Sequence, residues 1–354
     1  MYVVEPTGIP ESPQHREPLP GQAAETREPA PGQMAPGQIV EIWEPATGQI
    51  VEARPHLVAD LFSLIRPSHA AKAILLVPLA LIDASPWNLA TVGRVILATV
   101  AFILASAAVY VGNDIADRHR DGHHPVKRHR PVAAGRVGIV VAYGYCAVLL
   151  TLLGAIVALA PGSYWPILVY LVINVAYSGF LKHIPLVDVG TVAVCFVLRV
   201  IQGYEAIGGR PAAWLLVTVF SMSLLLLIGK RRQELLDTGA AHRPALRGYS
   251  MELTNWLLQI ASVLALVSGL MYLRDEGPFG PDYGQTAMLL STPFALFALF
   301  RYLQIQLMDE DGGDPVRILL RDRVMVTNSM LWAATLGVTL AFAHYPALTA
   351  AVPL

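Results

Sequence analysis

Four oxygen-bearing side chains recur within the short segment NDIADRHRD at residues 113–121. Asn113, Asp117 and Asp121 are four residues apart, so on an α-helix they project from one face, which we term the acid face. Asp114 lies close to the same face. Carboxylate and amide oxygens in this arrangement suit Mg²⁺, which is usually shared with the phosphates of a substrate. The spacing therefore predicts a magnesium site formed by all four side chains, with Asp117 and Asp121 as catalytic carboxylates.

Basic side chains follow the acid face at once, and they indicate a phosphate ligand. Lys127 and Arg130 come within nine residues of Asp121. An arginine offers two parallel donors to phosphate oxygens and a lysine offers a compact charge. A membrane anchor would explain these bases but not the regularly spaced acids. The combination predicts a site for a diphosphate and a metal.

A second polar block lies at residues 176–203, between two apolar stretches. Tyr177, Lys182 and Asp188 gather around a very short turn, and we predict phosphate binding for the first two and a catalytic role for Asp188. Arg199 stands eleven residues further on, inside an otherwise apolar helix, where ionisable residues usually have a function. Helical spacing places Arg199 and Asp188 on one side, so it could bind phosphate or orient Asp188. Pairing with a carboxylate inside the bundle is the alternative.

A third basic cluster, GKRRQELLD at residues 229–237, supplies Lys230 as a further candidate phosphate ligand. A membrane anchor explains this cluster equally well, because Lys and Arg collect in cytoplasmic loops. The sequence leaves the two interpretations open.

The composition places these residues in a membrane protein. Of the 354 residues, 55% are hydrophobic and only 14% are charged, against about 25% charged in soluble domains. The mean hydropathy is +0.51. The net charge of −1 gives no electrostatic support for nucleic-acid binding. The two cysteines, Cys146 and Cys195, lie in apolar runs, which argues against a disulfide framework.

Two regions follow from the distribution of residue types. Residues 1–55 are rich in Pro, Gly, Gln and Glu, and such a segment buries too little apolar surface to fold, so we predict a disordered cytosolic extension. A short docking strand at GQIVEIW, residues 37–43, is the alternative for part of it. Residues 56–354 form the predicted transmembrane catalytic domain.

The apolar runs predict an all-α membrane domain with nine transmembrane helices. They lie near 70–86, 89–112, 137–160, 163–181, 188–207, 212–229, 252–273, 285–306 and 324–345. With the N-terminus in the cytosol, Lys and Arg collect in cytosolic segments, while the opposite loops hold only Arg94, Arg210 and Arg274. This orientation predicts a multi-pass protein of the inner (plasma) membrane whose acid face opens to the cytosol.

The sequence resembles the UbiA-type intramembrane prenyltransferase superfamily. The resemblance rests on Asn113-Asp114-x-x-Asp117-x-x-x-Asp121, followed by Arg130-Pro131, and it extends over roughly residues 60–348. It implies a UbiA-like bundle of nine helices, an aspartate-rich site at the cytosol and Mg²⁺-dependent chemistry on diphosphates. Members usually carry a second Asp-x-x-x-Asp motif. Here Val192 stands four residues after Asp188, so the motif is reduced to one aspartate.

Further residues resemble a branch that transfers phosphoribosyl groups to decaprenyl phosphate. They include Tyr177-Ser178-x-x-Leu181-Lys182, Val197-Leu198-Arg199 and Gly229-Lys230-Arg231. The resemblance implies transfer of 5-phosphoribose from phosphoribosyl diphosphate (PRPP) to a polyprenyl phosphate in the synthesis of lipid-linked sugars of the cell envelope. It makes Lys72, Lys127, Arg130 and Lys182 the phosphate ligands. The first helix departs from the branch, because Ala70 and Ala73 replace its Trp and Asn.

Two other functions are compatible with the residues. An aromatic prenyltransferase of the same superfamily would use a prenyl diphosphate for quinone, haem or pigment synthesis, but the reduced second motif argues against it. A transporter or non-catalytic scaffold is the alternative from another class, although transporters show internal repeats and broken helices that we do not find. Self-association into a homo-oligomer is left open by the sequence.

Overall fold

The structure is a computed structural model. It describes residues 40–43, 50–53, 57–66, 72–74, 76–82, 88–123, 127–160, 162–238, 244–308 and 321–345. Two short strands lie within the predicted disordered extension, β1 (Val40–Trp43) and β2 (Ile50–Ala53). They pair antiparallel, with Trp43 opposite Ile50. A strand at residues 40–43 agrees with the alternative for GQIVEIW, whereas β2 lies outside the residues for which that alternative was considered. β-branched and aromatic residue types in VEIW and IVEA favour a ladder. The remainder of the predicted extension lies outside the described residues.

The rest of the described chain is helical. The α-helices are α1 (Leu57–Leu64), α2 (Leu89–Gly122), α3 (Ile139–Leu159), α4 (Trp165–Gly179), α5 (Val187–Ile207), α6 (Ala213–Thr238), α7 (Met251–Met271), α8 (Gly280–Met308) and α9 (Arg323–His344). Short 3₁₀ helices lie at Val77–Ile82, Lys127–His129, Leu181–His183 and Pro244–Gly248, and a π turn at Tyr272–Glu276 extends α7.

Within these residues, seven helices are long and apolar enough to cross a membrane, judged by length and composition. They are α2, α3 and α5 to α9. The other two predicted spans are shorter, at Lys72–Ile82 and Trp165–Gly179. At 1.5 Å per residue, the 15 residues of α4 extend over only about 22 Å, less than the roughly 30 Å of a bilayer core. The nine predicted spans are therefore not confirmed, although all nine apolar segments contain helix.

The longest helix, α2, carries the acid face on its last turns. Asn88 caps its N-terminus by accepting a hydrogen bond from Thr91 N at 2.7 Å. Its 34 residues extend over about 51 Å, which exceeds a bilayer core by several turns. With the apolar first part of α2 buried in a membrane of ordinary thickness, the last turns of the helix project beyond that membrane. The acid face lies on these last turns.

Two groups of helices form the core. In the first, α2, α4 and α5 enclose buried side chains that include Phe102, Tyr170 and Leu198. In the second, α6, α7, α8 and α9 pack around Leu225, Leu258 and others. Helix α5 also packs against α6 and against the 3₁₀ helix Val77–Ile82. Helix α5 therefore links the two groups. The second polar block includes the start of α5, and the acid face lies on α2, which packs against α5.

Gly203 on α5 permits the close approach of the 3₁₀ helix. A Cβ atom at this position would overlap the carbonyl oxygen of Val77 and contact Ala80.

We expect Gly203→Ala to lower the thermal stability of the purified protein, because the rigid backbone at Val77 cannot rotate away as a side chain could. Gly190→Ala on the same helix is the matched control. Nothing lies within 4 Å of a Cβ there, so the better helix propensity of alanine should raise stability slightly. Equal melting temperatures for the two variants would contradict this packing argument.

Candidate active site

The acid face keeps the spacing that the sequence predicts, and other elements contact each of its side chains. Ser178, near the end of α4, donates a hydrogen bond to Asn113 Oδ1 at 2.5 Å. Lys182, in the turn that leads to α5, places Nζ 3.2 Å from both carboxylate oxygens of Asp117. The Asp117 side chain is 29% exposed. The connection between α4 and α5 thus brings a hydroxyl and a cation to the acid face.

Arg130 joins the acid face to the neighbouring Asp114. Its Nη1 atom lies 2.6 Å from Asp121 Oδ2 and 3.2 Å from Asp114 Oδ1. Arg66, which follows α1, places Nη2 2.5 Å from the same oxygen of Asp114. The Asp114 side chain is only 3% exposed. A carboxylate so buried requires close cations, and two arginines from distant parts of the chain provide them.

The donor set of the acid face fits Mg²⁺, provided that a ligand supplies further oxygen atoms. Two carboxylates and an amide on one helix face are hard oxygen ligands. Among the described residues, however, no three Asp, Glu, His or Cys side chains converge to hold a metal ion by themselves. Both carboxylates are instead paired with cations. The oxygen donors therefore fit a metal that would arrive together with substrate phosphates, and Arg130 and Lys182 would then be available to bind those phosphates.

Asp188 lies in a separate buried network at the start of α5. Its side chain is 0% exposed. Arg231 Nε, on α6, lies 2.9 Å from Oδ2, and Tyr249 donates its hydroxyl to Oδ1 at 2.7 Å. Arg231 also binds Glu234 through Nη1 at 2.7 Å. This network ties α5 to α6 and to the segment before α7, so it fixes how these elements meet beside the acid face.

Tyr249 also stabilises the turn that begins α5. Its hydroxyl oxygen accepts a hydrogen bond from Leu186 N at 3.0 Å, and Leu186 has a left-handed φ of 66° that is strained for a residue with a branched side chain. Burial, and next the hydrogen bond to Asp188, raise the pKa of Tyr249 above its ordinary value. The hydroxyl therefore stays protonated and remains a donor. At the adjacent Gly248, a Cβ atom would collide with the ring of Pro185.

Arg199 lies deep in the first helix group, within an aromatic cage formed by Phe102, Tyr170 and Phe196. Its Cζ atom is 4.9, 5.1 and 5.2 Å from the three ring centroids, in that order. Nη1 donates to the carbonyl oxygen of Cys195 at 2.5 Å, whereas Nε has no hydrogen-bond partner. The residue is 4% exposed. The guanidinium is thus held mainly by the faces of aromatic rings, which attract cations.

Arg199 and Asp188 do not contact one another, so direct orientation of Asp188 by Arg199 is not supported. The two side chains have different partners. Eleven residues of helix separate them by about 16 Å along the axis, too far for contact although both lie on one side of α5. The alternative of pairing with a carboxylate is not supported either, because none of the ion pairs among the described residues involves Arg199. Phosphate binding by Arg199 stays a prediction.

The remaining predicted ligands lie in different places. Lys72 contacts the aromatic cage, with Nζ 5.3 Å from the centroid of Phe196. Lys127 is exposed in the 3₁₀ turn that follows α2, Tyr177 is half-buried beside Ser178, and Lys230 is exposed on α6. Phosphate binding by these residues stays a prediction.

Three polar residues of this region were missed by sequence reasoning. Arg66 has no role in the predicted site, and Arg231 lies in a cluster that a membrane anchor explains equally well. Tyr249 carries no local signal, because its contact with Asp188 joins residues 61 apart in sequence. The charged run at residues 229–232 could have suggested a buried partner for Asp188, since a carboxylate at the start of an apolar helix needs a cation.

The chain is similar to known proteins over most of its length. The model of the UbiA prenyltransferase family matches residues 73–320. The decaprenyl-phosphate phosphoribosyltransferase of Mycobacterium tuberculosis strain H37Rv is 34% identical over 300 residues, which cover 81% of this chain and 96% of that protein. The protein of the same name from Corynebacterium glutamicum is 30% identical over 287 residues, covering 78% and 86% of the two chains.

Solved structures share the fold. A UbiA homolog from Archaeoglobus fulgidus, bound to DMAPP and Mg²⁺, superposes with a TM-score of 0.59 at 20% identity, covering 80% of this chain and 99% of that one. A UbiA homolog from Aeropyrum pernix in its apo form gives a TM-score of 0.53 at 16% identity, covering 78% and 98%. At these identities the likeness concerns the fold, and it supports a common arrangement of α2 to α9.

Proposed function

The chain belongs to the UbiA prenyltransferase family and is an integral membrane transferase, and from this we propose that it transfers the 5-phosphoribosyl group of PRPP to a polyprenyl phosphate. Diphosphate is the second product. The relatives named decaprenyl-phosphate phosphoribosyltransferase support this proposal, because their similarity extends over nearly all of their own length. The product, a lipid-linked phosphoribose, fits the synthesis of cell-envelope sugars.

The observation that carries the proposal is the pairing of Asp188. The family's prenyl-diphosphate chemistry uses two aspartate motifs, as the resemblance implies. In this chain the second motif is a single aspartate that is fully buried and bound to Arg231 and Tyr249. We assign Asp188 a positioning role rather than the catalytic role predicted from sequence. The acid face then serves as the metal motif, and it is adjacent to basic residues suited to a donor rich in phosphate.

The acid face and its cations would bind the diphosphate end of PRPP. Asn113, Asp117 and Asp121 would hold Mg²⁺ together with the diphosphate, and the bound metal would neutralise charge that develops on the leaving group. Arg130 and Lys182 would exchange their carboxylate partners for phosphate oxygens, to which they offer charge-assisted hydrogen bonds. Asp114, held by two arginines, would position Arg66 and Arg130 instead of binding the metal.

The transfer requires no strong general base. An oxygen of the acceptor phosphate is already ionised, so it can attack C1 of the ribose directly. The bond between C1 and the diphosphate oxygen breaks, and both electrons leave with the diphosphate. Arg130 and Lys182 would stabilise that oxygen as negative charge develops on it. Proton transfer is not needed at any atom of this step.

We place the acid face at the cytosolic side of the inner (plasma) membrane. Arg130, Lys182 and Arg231 lie on segments that meet at one end of the helices, and loops rich in Lys and Arg stay in the cytoplasm. A charged, water-soluble donor would reach the acid face from the cytosol. The lipid acceptor would bring its phosphate to the same rim while its hydrocarbon chain stays in the apolar region.

Purified protein in detergent tests the function directly. It is incubated with MgCl₂, PRPP labelled in the ribose and a polyprenyl phosphate, and the lipid fraction is analysed by mass spectrometry. Phosphoribose attached to the lipid, with release of diphosphate, is the expected result. Parallel reactions with geranyl diphosphate and a hydroxybenzoate acceptor test the aromatic prenyltransferase. Prenylation of the aromatic acid without labelling of the lipid phosphate would contradict the proposal. Turnover without a membrane gradient would exclude a transporter.

Lys182→Ala is expected to weaken PRPP binding by about 10- to 150-fold, because one charge-assisted contact contributes roughly 1.5–3 kcal/mol. The affinity for polyprenyl phosphate should change much less. Since Lys182 contacts Asp117, inorganic diphosphate should lose affinity to the same extent as PRPP. Arg136→Ala is the matched control, because Arg136 pairs with Asp60 at 3.1 Å and not with the acid face.

Competition binding with both ligands decides the role of Lys182. A loss of affinity for PRPP without a loss for inorganic diphosphate would mean that Lys182 binds the 5-phosphate of PRPP instead of its diphosphate. A loss confined to polyprenyl phosphate would mean that the donor and acceptor pockets are exchanged.

A further inference from the structure

One face of α2 joins the acid face to the aromatic cage. Phe102, Ser106 and Tyr110 continue the line of Asn113 and Asp117 toward the start of the helix, and with Asp121 they span an arc of about 100°. Phe102 lies about 16 Å below Asn113 along the axis. Helix α4 runs beside this face, since it contacts Asn113 through Ser178 at its end. Its Tyr170 ring, two turns earlier, lies 4.9 Å from the ring of Phe102.

This geometry defines where the apolar part of a prenyl diphosphate could go. If the diphosphate of a prenyl donor lies at the acid face, its hydrocarbon chain has two ways to leave the polar rim. It can extend outward between helices, or inward along the face shared by α2, α4 and α5. The inward route ends at the aromatic cage. The cage is closed by a side chain of the protein itself, because Arg199 contacts all three rings.

The charge of Arg199 also bears on what the cage can accept. Aromatic rings bury large apolar surfaces, so free ring faces at this place could pack against the hydrocarbon tail of a prenyl donor. In this chain those faces already hold a guanidinium, a positively charged group. Lys72 adds a second positive charge at the Phe196 ring. A prenyl tail directed inward would therefore meet buried positive charge instead of free aromatic faces.

We propose that Arg199 is a specificity-determining residue, whose guanidinium fills the aromatic cage and excludes allylic prenyl diphosphates from the interior of the bundle. The inference rests on the proposed function, since it explains why this site would use a phosphorylated sugar donor. It changes the interpretation of Arg199 from a phosphate ligand to a residue that selects against the apolar donor. The ribosyl donor needs no apolar pocket, because its sugar and phosphates are polar.

Binding of an unreactive allylic diphosphate tests this inference. Geranyl thiolodiphosphate with MgCl₂ is titrated into the wild type, Arg199→Met and Arg199→Lys in detergent, with inorganic diphosphate as the reference ligand. We expect Arg199→Met to bind the prenyl analogue about tenfold more tightly or better, because the cage can then bury prenyl methylene groups. Arg199→Lys keeps the charge and should show no gain. Inorganic diphosphate should bind all three proteins equally.

Two outcomes would overturn the inference. One is the absence of any gain in Arg199→Met while inorganic diphosphate still binds, and the other is an equal gain in Arg199→Lys. If Arg199→Met does not purify as a folded protein, Arg199→Gln removes the charge while keeping a donor for the carbonyl of Cys195. Phosphoribosyl transfer is measured separately with the wild type. Its failure would contradict the proposed function, whereas the binding comparison would still decide the role of Arg199.

Discussion

Asp117→Asn and Asp121→Asn are each expected to lower the turnover of phosphoribosyl transfer by about a thousandfold or more, because each removes a charged ligand from the metal and diphosphate. The substitution keeps the shape of the side chain, so folding should be nearly unchanged. The measurement is the initial rate at saturating PRPP and polyprenyl phosphate, over a range of MgCl₂ concentrations. A higher MgCl₂ requirement in either variant would identify the loss as one of metal affinity.

The control for these variants is Asp282→Asn. Asp282 is an exposed carboxylate in the first turn of α8, outside the acid face, and its replacement should leave the rate within twofold of the wild type. Full activity of either acid-face variant, or wild-type activity in excess EDTA, would contradict the assignment of a metal to this helix face.

Asp188→Ala is expected to destabilise the protein by about 3 kcal/mol, the lower end of the range for breaking a buried ion pair, because Arg231 keeps Glu234 as its second carboxylate. The Arg231 side chain is only 4% exposed, so water cannot replace the lost partner. Thermal unfolding in detergent measures the effect as a lower melting temperature. Tyr249→Phe removes one hydrogen bond from the same carboxylate and one from Leu186 N, and should cost about 1–2 kcal/mol.

The double variant Asp188→Leu with Arg231→Met is the decisive comparison. Removing both charges and keeping similar volumes is often neutral or stabilising, so it should recover most of the stability that Asp188→Ala loses. Glu234 then loses one partner, but its side chain is 28% exposed and reaches solvent. If the single variant melts like the wild type, or the double variant is the less stable, Asp188 does not act through Arg231.

Local patterns predicted the parts of the site that lie on one element. The fourfold spacing of Asn113, Asp117 and Asp121 requires only that the segment be helical, and α2 extends through it. The apolar runs likewise placed most of the helices within a few residues, although α2 and α6 extend ten and nine residues beyond their predicted ends. Arg130 was predicted because it follows the acid face closely in sequence. These predictions depend on periodicity and short loops, which a single sequence contains.

Contacts between distant segments could not be predicted in the same way. Arg66 and Asp114 are 48 residues apart, and Asp188 and Arg231 are 43 apart. Which buried carboxylate meets which arginine depends on how the helices pack, and many pairings satisfy the same charges. Arg199 illustrates the limit most clearly. Its position in an apolar helix indicated a buried partner, but aromatic rings surround the guanidinium where a carboxylate was the alternative.

The pairing of Asp114, Asp117 and Asp121 with Arg66, Arg130 and Lys182 has a consequence for each catalytic cycle. Asp114, Asp117 and Asp121 are each paired with a cation before any ligand arrives, and Arg120 lies 3.9 Å from Asp117 as well. In the proposed reaction, an incoming diphosphate with its metal would therefore enter as in an ion exchanger: Asp117 and Asp121 would hold the metal, and Arg130 and Lys182 would bind the anion. When the diphosphate leaves, Arg130 and Lys182 would return to the carboxylates, so like charges on α2 would not be left facing one another between turnovers.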